Sequence, residues 1–401
     1  MPRKKRPRVP PYQESGNALC SAPDHALTDN PAMHDPILVL GIESSCDETS
    51  IGVVKVASKN NILVSEKLGL VTLSQEKLHK DYGGVVPEIA ARAHSERVDT
   101  CFKKVLKENS VRLDDVDIIC VTKGPGLIGG LISGINFAKG LAFSTEKPLI
   151  GVNHLVGHAL TPQMTDDLSY PYLLLLASGG HCQYLAVLGA NEIKRLGTTI
   201  DDAPGEVFDK VAKMLSLPIF SGSEVEKWAE KGDKNRFSFP LPLINKNDCD
   251  LSFSGLKSSV RRQVDYLVEK QSGLYLRDQR DICASFQKSM KLIFEQKTKK
   301  AIELFSKVSS VKSLSFSLAG GVAANKEIRN SLRELCDNLG VRFSAPPLDL
   351  CTDNGLMIAY AGTQMYLGGQ VDNMDLSPRP RWPIDIDNQH SLGFGKRGRK
   401  V

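Results

Sequence analysis

The feature that most constrains the fold of this chain is a short pattern that occurs twice. An apolar run, a turn of small and polar residues and a second apolar run occupy residues 37–56 and again residues 172–188. Apolar runs on both sides of a turn-forming segment predict a β-hairpin. Two such hairpins, about 135 residues apart, predict two related domains in which each hairpin turn faces a ligand.

The segments around the two hairpins alternate between helical and extended patterns. At 401 residues, the chain suits two domains of ordinary size. Strands that lead through glycine-rich turns into helices predict α/β domains with ligands at the strand ends. The predicted helices cover 87–109, 134–144, 281–306 and a segment ending at Leu339, and the predicted strands cover 118–121, 149–152 and 314–318.

Positive charge is concentrated at the two ends of the sequence. Residues 1–16 and the last seven residues each carry +4, whereas the segment between them carries −3. Six prolines and the lack of apolar periodicity predict a tail over residues 1–35. Basic tails are commonly solvated segments, targeting signals or segments that contact polyanions. No apolar run approaches the length of a membrane span, which argues against a membrane protein.

The nine cysteines are scattered and include no C-x-x-C pair. An odd number without paired spacing argues against a disulfide framework or a zinc ribbon, and it favours a reducing compartment.

His154 and His158 form the sharpest local motif. Residues at i and i+4 share a helix face, so the two imidazoles can bind one metal ion. Two surface histidines are the alternative. No Glu follows His154, so the pair lacks the general base of a zinc peptidase. Asp353 is a candidate third ligand or, on local pattern alone, a helix cap.

Three glycine-rich turns follow predicted strands, at 123–126, 178–181 and 319–325. Glycines let backbone N–H groups approach a phosphate, and a following helix adds its positive end. A single turn of this kind commonly binds no ligand, but three in one chain favour a nucleotide-binding protein. Neither a Walker A pattern nor G-x-G-x-x-G is present.

Carboxylates form a third group. Asp47 and Glu48 lie in the first hairpin turn, and an acidic stretch precedes a predicted helix near residue 204. An acidic helix start that complements the helix dipole is one interpretation of that stretch. Binding of a ribose or another substrate is the other. The acidic stretch contains Asp201, Asp202, Glu206 and Asp209.

Taken together, these segments resemble the tRNA N6-adenosine threonylcarbamoyltransferases, formerly named O-sialoglycoprotein endopeptidases. The turn at 42–48 is similar to the bacterial and mitochondrial branch of that family. The matching motifs keep the family's order between about residues 37 and 370: 41–49, 82–88, 123–127, 151–158, 178–181, 208–210, 252–257, 319–325 and 353–354.

The resemblance implies an actin-like, sugar-kinase-like α/β fold with two domains around a central cleft. The expected first domain comprises 36–153 and about 354–385, and the second comprises 154–353. Residues 1–35 are expected to form a basic, proline-rich tail or targeting segment, and residues 386–401 a basic C-terminal tail.

The resemblance also assigns roles to residues of this chain. His154, His158 and Asp353 match the family's ligands for one divalent metal ion per subunit, zinc or iron. Gly222 lies where the family usually has Tyr-Pro-Gly-Gly, although this chain has Phe-Ser-Gly-Ser there with one residue inserted before it. The positions that match substrate-binding residues are Ala177, Ser178, Gly179, Gly180, His181, Asp209, Gly222 and Asn325.

The implied reaction is acyl transfer. The donor is threonylcarbamoyl-adenylate from a separate synthase, the acceptor is N6 of the adenosine beside a tRNA anticodon, and AMP is released. Asp47 is the candidate for handling the proton or orienting the donor. The basic tails and the cluster Lys288, Lys291, Lys297, Lys299 and Lys300 are candidate phosphate contacts, with a solvated helix face as the alternative for the cluster.

Three other functions stay open on sequence alone: a zinc-dependent glycopeptidase, a small-molecule kinase and a non-catalytic scaffold. A homodimer also stays open. The branch resemblance predicts a mitochondrial location, whereas the run Arg3-Lys-Lys-Arg-Pro-Arg8 allows the nucleus or cytoplasm.

Overall fold

The structure is a computed structural model that describes residues 35–385, except 60–61, 80–81, 83, 167, 310 and 312. Both predicted tails, apart from Asp35, lie outside these residues. The described residues contain two five-stranded sheets. Strands β1 to β5 of the first sheet are Ile37–Glu43, Glu48–Lys59, Ile62–Ser74, Ile118–Gly124 and Leu149–Asn153. Strands β6 to β10 of the second are Tyr172–Ala177, Cys182–Gly189, Glu192–Thr198, Ser315–Ala319 and Arg342–Ser344.

The two sheets have the same topology. Their strand orders are β3-β2-β1-β4-β5 and β10-β9-β6-β7-β8. In each sheet the central strand pairs antiparallel with the second strand of its hairpin and parallel with a later strand. The repeat predicted from the two hairpins is therefore confirmed at the level of strand order and direction. The exact domain boundaries stay a prediction.

Helices join the strands and cover the sheets. Helices α1 to α5 are Glu76–His79, Pro87–Glu108, Ile128–Thr145, His154–Asp166 and Pro204–Met214. Helices α6 to α10 are Gly222–Ala229, Ser254–Gln271, Leu276–Ser309, Lys326–Asn338 and Gly355–Leu367. None of these helices combines the length and the apolar character that a membrane crossing requires.

The last helix, α10, packs closely on the first sheet. A Cβ atom on Gly355 would lie 2.2 Å from the Gly52 nitrogen, and one on Gly41 would lie 2.0 Å from the Gly355 oxygen. Only glycine permits this approach between the helix start and the strands. Because α10 also packs against α4, it brings the segment before residue 355 to the start of α4.

The hydrophobic core joins the two sheets. One buried cluster includes Val39 and Ile150 from the first sheet, Leu174 and Val187 from the second, and Met357 from α10. The carboxyl ends of the parallel strands in each sheet lie next to the turns that carry the predicted site residues. This placement fits the rule that open α/β sheets bind ligands at these strand ends.

The cysteines play no part in cross-linking the described part of the fold. All eight cysteines within it are free thiols, and seven of them are buried.

Candidate metal centre and adjoining cavity

Three predicted metal ligands come together between α4 and α10. His158 Nε2 lies 3.0 Å from Asp353 Oδ1, and His154 Nε2 lies 3.5 Å from the same oxygen. The ligand atoms of the three residues lie within 4.8 Å of one another. Ligands about 2.1 Å from a tetrahedral ion lie about 3.4 Å apart, so this donor set fits a divalent ion.

The start of α10 decides between the two interpretations of Asp353. Asn354, not Asp353, is the N-cap, and its side-chain oxygen accepts a hydrogen bond from the Met357 nitrogen. Because the cap position is filled by the amide, the Asp353 carboxylate is available to the histidines. The expectation that Asp353 is only a helix cap is wrong.

Glu43, at the end of β1, supports the candidate ligand His154 from behind. Glu43 Oε2 lies 3.0 Å from His154 Nδ1, and Glu43 also accepts hydrogen bonds from the Ser45 nitrogen and the Thr122 hydroxyl. A carboxylate on Nδ1 favours the tautomer that leaves Nε2 free to bind a metal ion. Glu43 is not among the site residues predicted from the sequence. The sequence feature that could have identified Glu43 is a carboxylate at the end of an otherwise apolar strand.

Mutual attraction shifts the pKa values of these groups. Burial lowers the pKa of His154, but the carboxylates of Asp353 and Glu43 outweigh it and raise the pKa to about 9. Burial raises the pKa of Asp353, but the charges of His154 and His158 outweigh it and hold that pKa well below its usual range. The pocket therefore favours positive charge between buried carboxylates.

The second histidine presents the same ring nitrogen to Asp353 as the first. The His158 Nδ1 atom is buried and has no hydrogen-bond partner among the described residues. The two imidazole rings meet edge to face with centroids 4.8 Å apart, and both Nε2 atoms approach Asp353. Two histidines and one carboxylate that converge on one point form a donor set typical of zinc and iron.

Half of the predicted substrate residues line one cavity of about 330 Å³ beside this centre. Four elements contribute to it: the turn after β6, helix α5, the start of α6 and the start of α9. The rest of the lining consists of Gly205, Phe208, Ser223, Glu226, Gly321, Val322 and Ala324, of which Gly321 to Ala324 belong to the third glycine-rich turn. The predicted residues in the lining are Gly179, Asp209, Gly222 and Asn325.

Hydrogen bonds orient two of these predicted residues. Asn325 is the N-cap of α9: its side-chain oxygen accepts from the Ile328 nitrogen, and its amide donates to Gln287. Gly222 is the first residue of α6, and its N–H donates to the Asp209 carboxylate. Burial raises the pKa of Asp209 to about 6 despite this hydrogen bond, and the neighbouring Glu206 and Asp47 add to the increase.

The turn from Ser178 to His181 connects the cavity with the metal ligands. Gly179 lines the cavity, while the ring of His181 lies 6.5 Å from that of His154, centroid to centroid. The Ser178 nitrogen donates to the His181 carbonyl and closes the turn. The predicted residues Ala177 and Gly180 lie in the same strand end and turn, but they do not line the cavity.

Asp47 lies in the turn between β1 and β2, and Glu48 is the first residue of β2. Asp47 raises the pKa of Asp209 and that of Glu48, so its carboxylate lies near both groups. Burial, followed by the charges of Asp353 and Asp47, raises the pKa of Glu48 to about 10. Burial and the neighbouring carboxylates therefore favour the protonated form of Glu48.

The other carboxylates of the acidic stretch have structural partners. Asp201 accepts hydrogen bonds from the Ser252 and Ser254 hydroxyls at the start of α7. Asp202 pairs with Lys210 and Lys257. Asp209 alone among the four lines the cavity.

The lysine cluster predicted as a phosphate contact does not form one exposed face. Lys297 is 1% exposed and donates to the backbone oxygens of Lys246 and Asp248. Lys291 and Lys300 lie within ion-pair distance of Glu295 and Glu303. The interpretation of Lys297 as a phosphate contact is wrong, because the loop at 246–248 covers it.

The fold and the site together define the class of protein. The crystal structure of T. kodakarensis HypF superposes with a TM-score of 0.54 over 83% of this chain and 49% of that chain, at 16% identity. At that identity the likeness shows the fold alone. The protein is an actin-like, sugar-kinase-like α/β protein with a candidate metal centre beside a cavity.

Sequence relatives define the family within this class. The profile of the tRNA N6-adenosine threonylcarbamoyltransferase family matches residues 66–360. A protein of that name from Ruegeria pomeroyi is 51% identical over 92% of this chain and 100% of its own length. One from Paracoccus denitrificans is 53% identical over 90% of this chain and 98% of its own length. The chain belongs to this family of tRNA-modifying transferases.

Proposed function

We propose that this protein transfers the threonylcarbamoyl group from threonylcarbamoyl-adenylate to N6 of adenosine 37 in tRNAs that read codons beginning with adenine, and releases AMP. The observation that carries the proposal is the single turn at 178–181, which reaches from the cavity to the candidate metal ligands. A donor that spans this turn has its nucleotide in the cavity and its reactive carbon near the histidines.

The cavity offers suitable groups for the adenylate part of the donor. When ionised, Asp209 can accept hydrogen bonds from ribose hydroxyls. Asn325, at the start of α9, adds a second polar side chain to the lining. The neighbouring glycines expose backbone N–H groups that can approach phosphate oxygens. A volume of about 330 Å³ is within the range of small-molecule sites.

His154, His158 and Asp353 would hold the divalent ion, zinc or iron, with Glu43 orienting His154. A bound ion supplies positive charge that stabilises negative charge developing on the donor. The buried carboxylates around the histidines make this pocket selective for a cation.

The transfer step forms one bond and breaks one. The N6 nitrogen attacks the carbamoyl carbon, the bond from that carbon to the phosphate oxygen breaks, and AMP departs with the bonding pair. The amine loses one proton, and we assign its acceptance to Asp47, whose carboxylate lies near enough to Asp209 to raise the pKa of that group. Because an aryl amine is a weak nucleophile, orientation of both substrates supplies much of the rate.

The proposal extends to the cellular setting. A separate synthase supplies the donor, and the resemblance of the 42–48 turn to the bacterial and mitochondrial branch supports a mitochondrial location. The nucleus and the cytoplasm are the alternatives, and a homodimer is compatible with the proposal.

A transfer assay tests the proposed function. Purified protein, freshly made threonylcarbamoyl-adenylate and unmodified tRNA are mixed, and nucleoside mass spectrometry measures modified adenosine. We expect product from the wild type and none from the His154→Ala, His158→Ala double variant, with circular dichroism confirming that both are folded. Equal product from both proteins would refute the role of the histidines, and no product from the wild type would refute the activity of the protein acting alone.

A further inference from the structure

Residues 376–384, near the C-terminal end of the described chain, form a cationic strip close to the candidate metal ligands. Arg379, Pro380 and Arg381 are exposed, and Trp382 is half-buried. Residues 376–384 include two arginines and no acidic residue. Within the described part of the chain, neither guanidinium has an ion-pair partner. Exposed, unneutralised arginines attract polyanions.

The strip is fixed to the first sheet at the strand ends that carry the site. The Arg379 nitrogen donates to the Lys123 carbonyl over 2.7 Å, and the Gly126 nitrogen donates to the Pro380 carbonyl over 3.2 Å. A Cβ on Gly124 would lie 1.8 Å from the Arg379 oxygen, so the glycine is required for this contact. The backbone of the strip is therefore anchored, while its guanidinium groups stay exposed.

Two contacts place the strip next to the candidate metal ligands. The Asn153 amide donates to the Trp382 carbonyl over 3.2 Å, and Asn153 directly precedes His154. A Cβ on Gly126 would lie 2.7 Å from Ser45 Cβ, and the Ser45 hydroxyl lies 3.2 Å from His154 Nδ1. A polyanion held by the strip would therefore lie close to the candidate metal ligand His154.

Trp382 orients one guanidinium and keeps its charge available. The Arg379 guanidinium lies 5.1 Å from the centroid of the Trp382 ring, and Lys123 Nζ lies 5.9 Å from the same centroid. Stacking on an aromatic ring orients an arginine without neutralising it. Lys123, in contrast, is paired with Asp372 at 2.8 Å. The net positive charge of the strip therefore comes from Arg379 and Arg381.

We propose that Arg379 and Arg381 form a binding surface for the phosphate backbone of RNA and guide the anticodon arm of tRNA into the site. This inference rests on the proposed function for the identity of the RNA. An RNA fits better than a protein partner, because the strip offers forked cations suited to phosphate and lacks exposed large apolar side chains. Prolines 378, 380 and 383 limit the backbone conformations and lower the cost of ordering.

Fluorescence anisotropy of a labelled tRNA transcript across a range of salt concentrations tests the surface. The variants are Arg379→Glu, Arg381→Glu and, as a control with the same charge change, Arg261→Glu, Arg262→Glu on the exposed face of α7. We expect the Arg379→Glu, Arg381→Glu variant to bind tRNA about tenfold or more weakly than the wild type. The slope of the logarithm of the binding constant against the logarithm of the salt concentration should decrease in magnitude by about two, roughly one per lost phosphate contact. We expect a clearly smaller change for the α7 pair.

Binding and slope at wild-type values for Arg379→Glu, Arg381→Glu, or equal losses for both pairs, would overturn the proposal. A steady-state assay distinguishes a role of the two arginines in tRNA binding from a role in the reaction itself. We expect a raised KM for tRNA and an unchanged kcat at saturating tRNA. If tRNA binding depends on these arginines but no modified adenosine forms, the proposed reaction is refuted and the proposed binding surface is supported. If the variant modifies tRNA with wild-type affinity and KM, the surface is wrong and the reaction stands.

Discussion

At the scale of single residues, the site depends on charges that are buried together. Glu43, at the end of β1, joins the Ser45 nitrogen, the Thr122 hydroxyl and His154 Nδ1 in one hydrogen-bonded group. Burial raises the pKa of Glu43, but the neighbouring His154 outweighs it and lowers the pKa overall. The carboxylate thus stays ionised and holds the ring in one orientation.

Replacing Glu43 with Gln keeps the shape and removes this charge. Because carboxylates behind ligating histidines strengthen metal binding, we expect zinc affinity to fall about 10- to 100-fold. Competition with a chromophoric chelator measures the change. Glu66→Gln, in an exposed pair on β3, is the matched control and should have wild-type affinity. Wild-type affinity in Glu43→Gln would contradict the positioning role.

The raised pKa of Asp209 predicts a pH dependence of nucleoside binding. Because burial raises its pKa to about 6, the carboxylate is mainly ionised one pH unit above that value and mainly protonated one unit below it. If the ionised form accepts hydrogen bonds from ribose hydroxyls, affinity for adenosine should be nearly constant well above the pKa and decrease as the pH falls through it. Calorimetry between pH 5 and 8 measures this. Asp209→Asn should bind more weakly with a flat profile, and an unchanged slope in that variant would assign the dependence to another group.

At the scale of elements, the contact of α10 with the first sheet controls where Asp353 lies. We expect Gly355→Ala to destabilise the fold by about 1–3 kcal/mol, since its Cβ would lie 2.2 Å from the Gly52 nitrogen. Zinc affinity should fall in the same variant. Gly140→Ala, inside α3 where a Cβ meets nothing within 4 Å, should be neutral or stabilising by up to about 1 kcal/mol. Urea unfolding measures both, and equal stability of the two variants would contradict the account.

Element-scale features differ in how far the sequence reveals them. The helix predicted over 87–109 is Pro87–Glu108, because a proline start and apolar spacing mark its ends. The helix predicted over 134–144 begins earlier, at Ile128, since two glycines in its first turn weaken the helical pattern. Strand β3, Ile62–Ser74, was missed because lysine, glutamate and glycine interrupt its apolar residues. Its pairing with β2 along the whole strand provides the stabilisation that local propensity lacks.

At the scale of the whole molecule, the site is assembled from distant parts of the chain. Asp353 is 195 residues from His158, and only the fold brings the two together. The His-x-x-x-His spacing was readable from the sequence, and family motifs supplied Asp353. Glu43 has only a weak local signal, a carboxylate at the end of an apolar strand, because its role depends on His154, 111 residues away. Ser223 and Glu226 in the cavity lining carry no local signal of that placement.

A metal ion that joins α4 to α10 should stabilise the whole fold. Binding to the folded state alone adds about 2.7 kcal/mol when the free metal exceeds Kd by a factor of 100. We therefore expect a chelator to lower the melting temperature of the metal-loaded wild type and to leave the His154→Ala, His158→Ala variant unchanged. Differential scanning calorimetry measures both, and equal shifts in the two proteins would place the metal elsewhere.

The most direct test of the account measures both products of one reaction. Wild-type protein, threonylcarbamoyl-adenylate and tRNA are combined, and AMP and modified adenosine are quantified in the same samples, after subtraction of donor breakdown in the absence of protein. We expect equal amounts of the two products from the wild type, and loss of both in the His154→Ala, His158→Ala variant. AMP release by the wild type without modified adenosine would contradict transfer to tRNA. Undiminished product in the variant would contradict the assignment of the site.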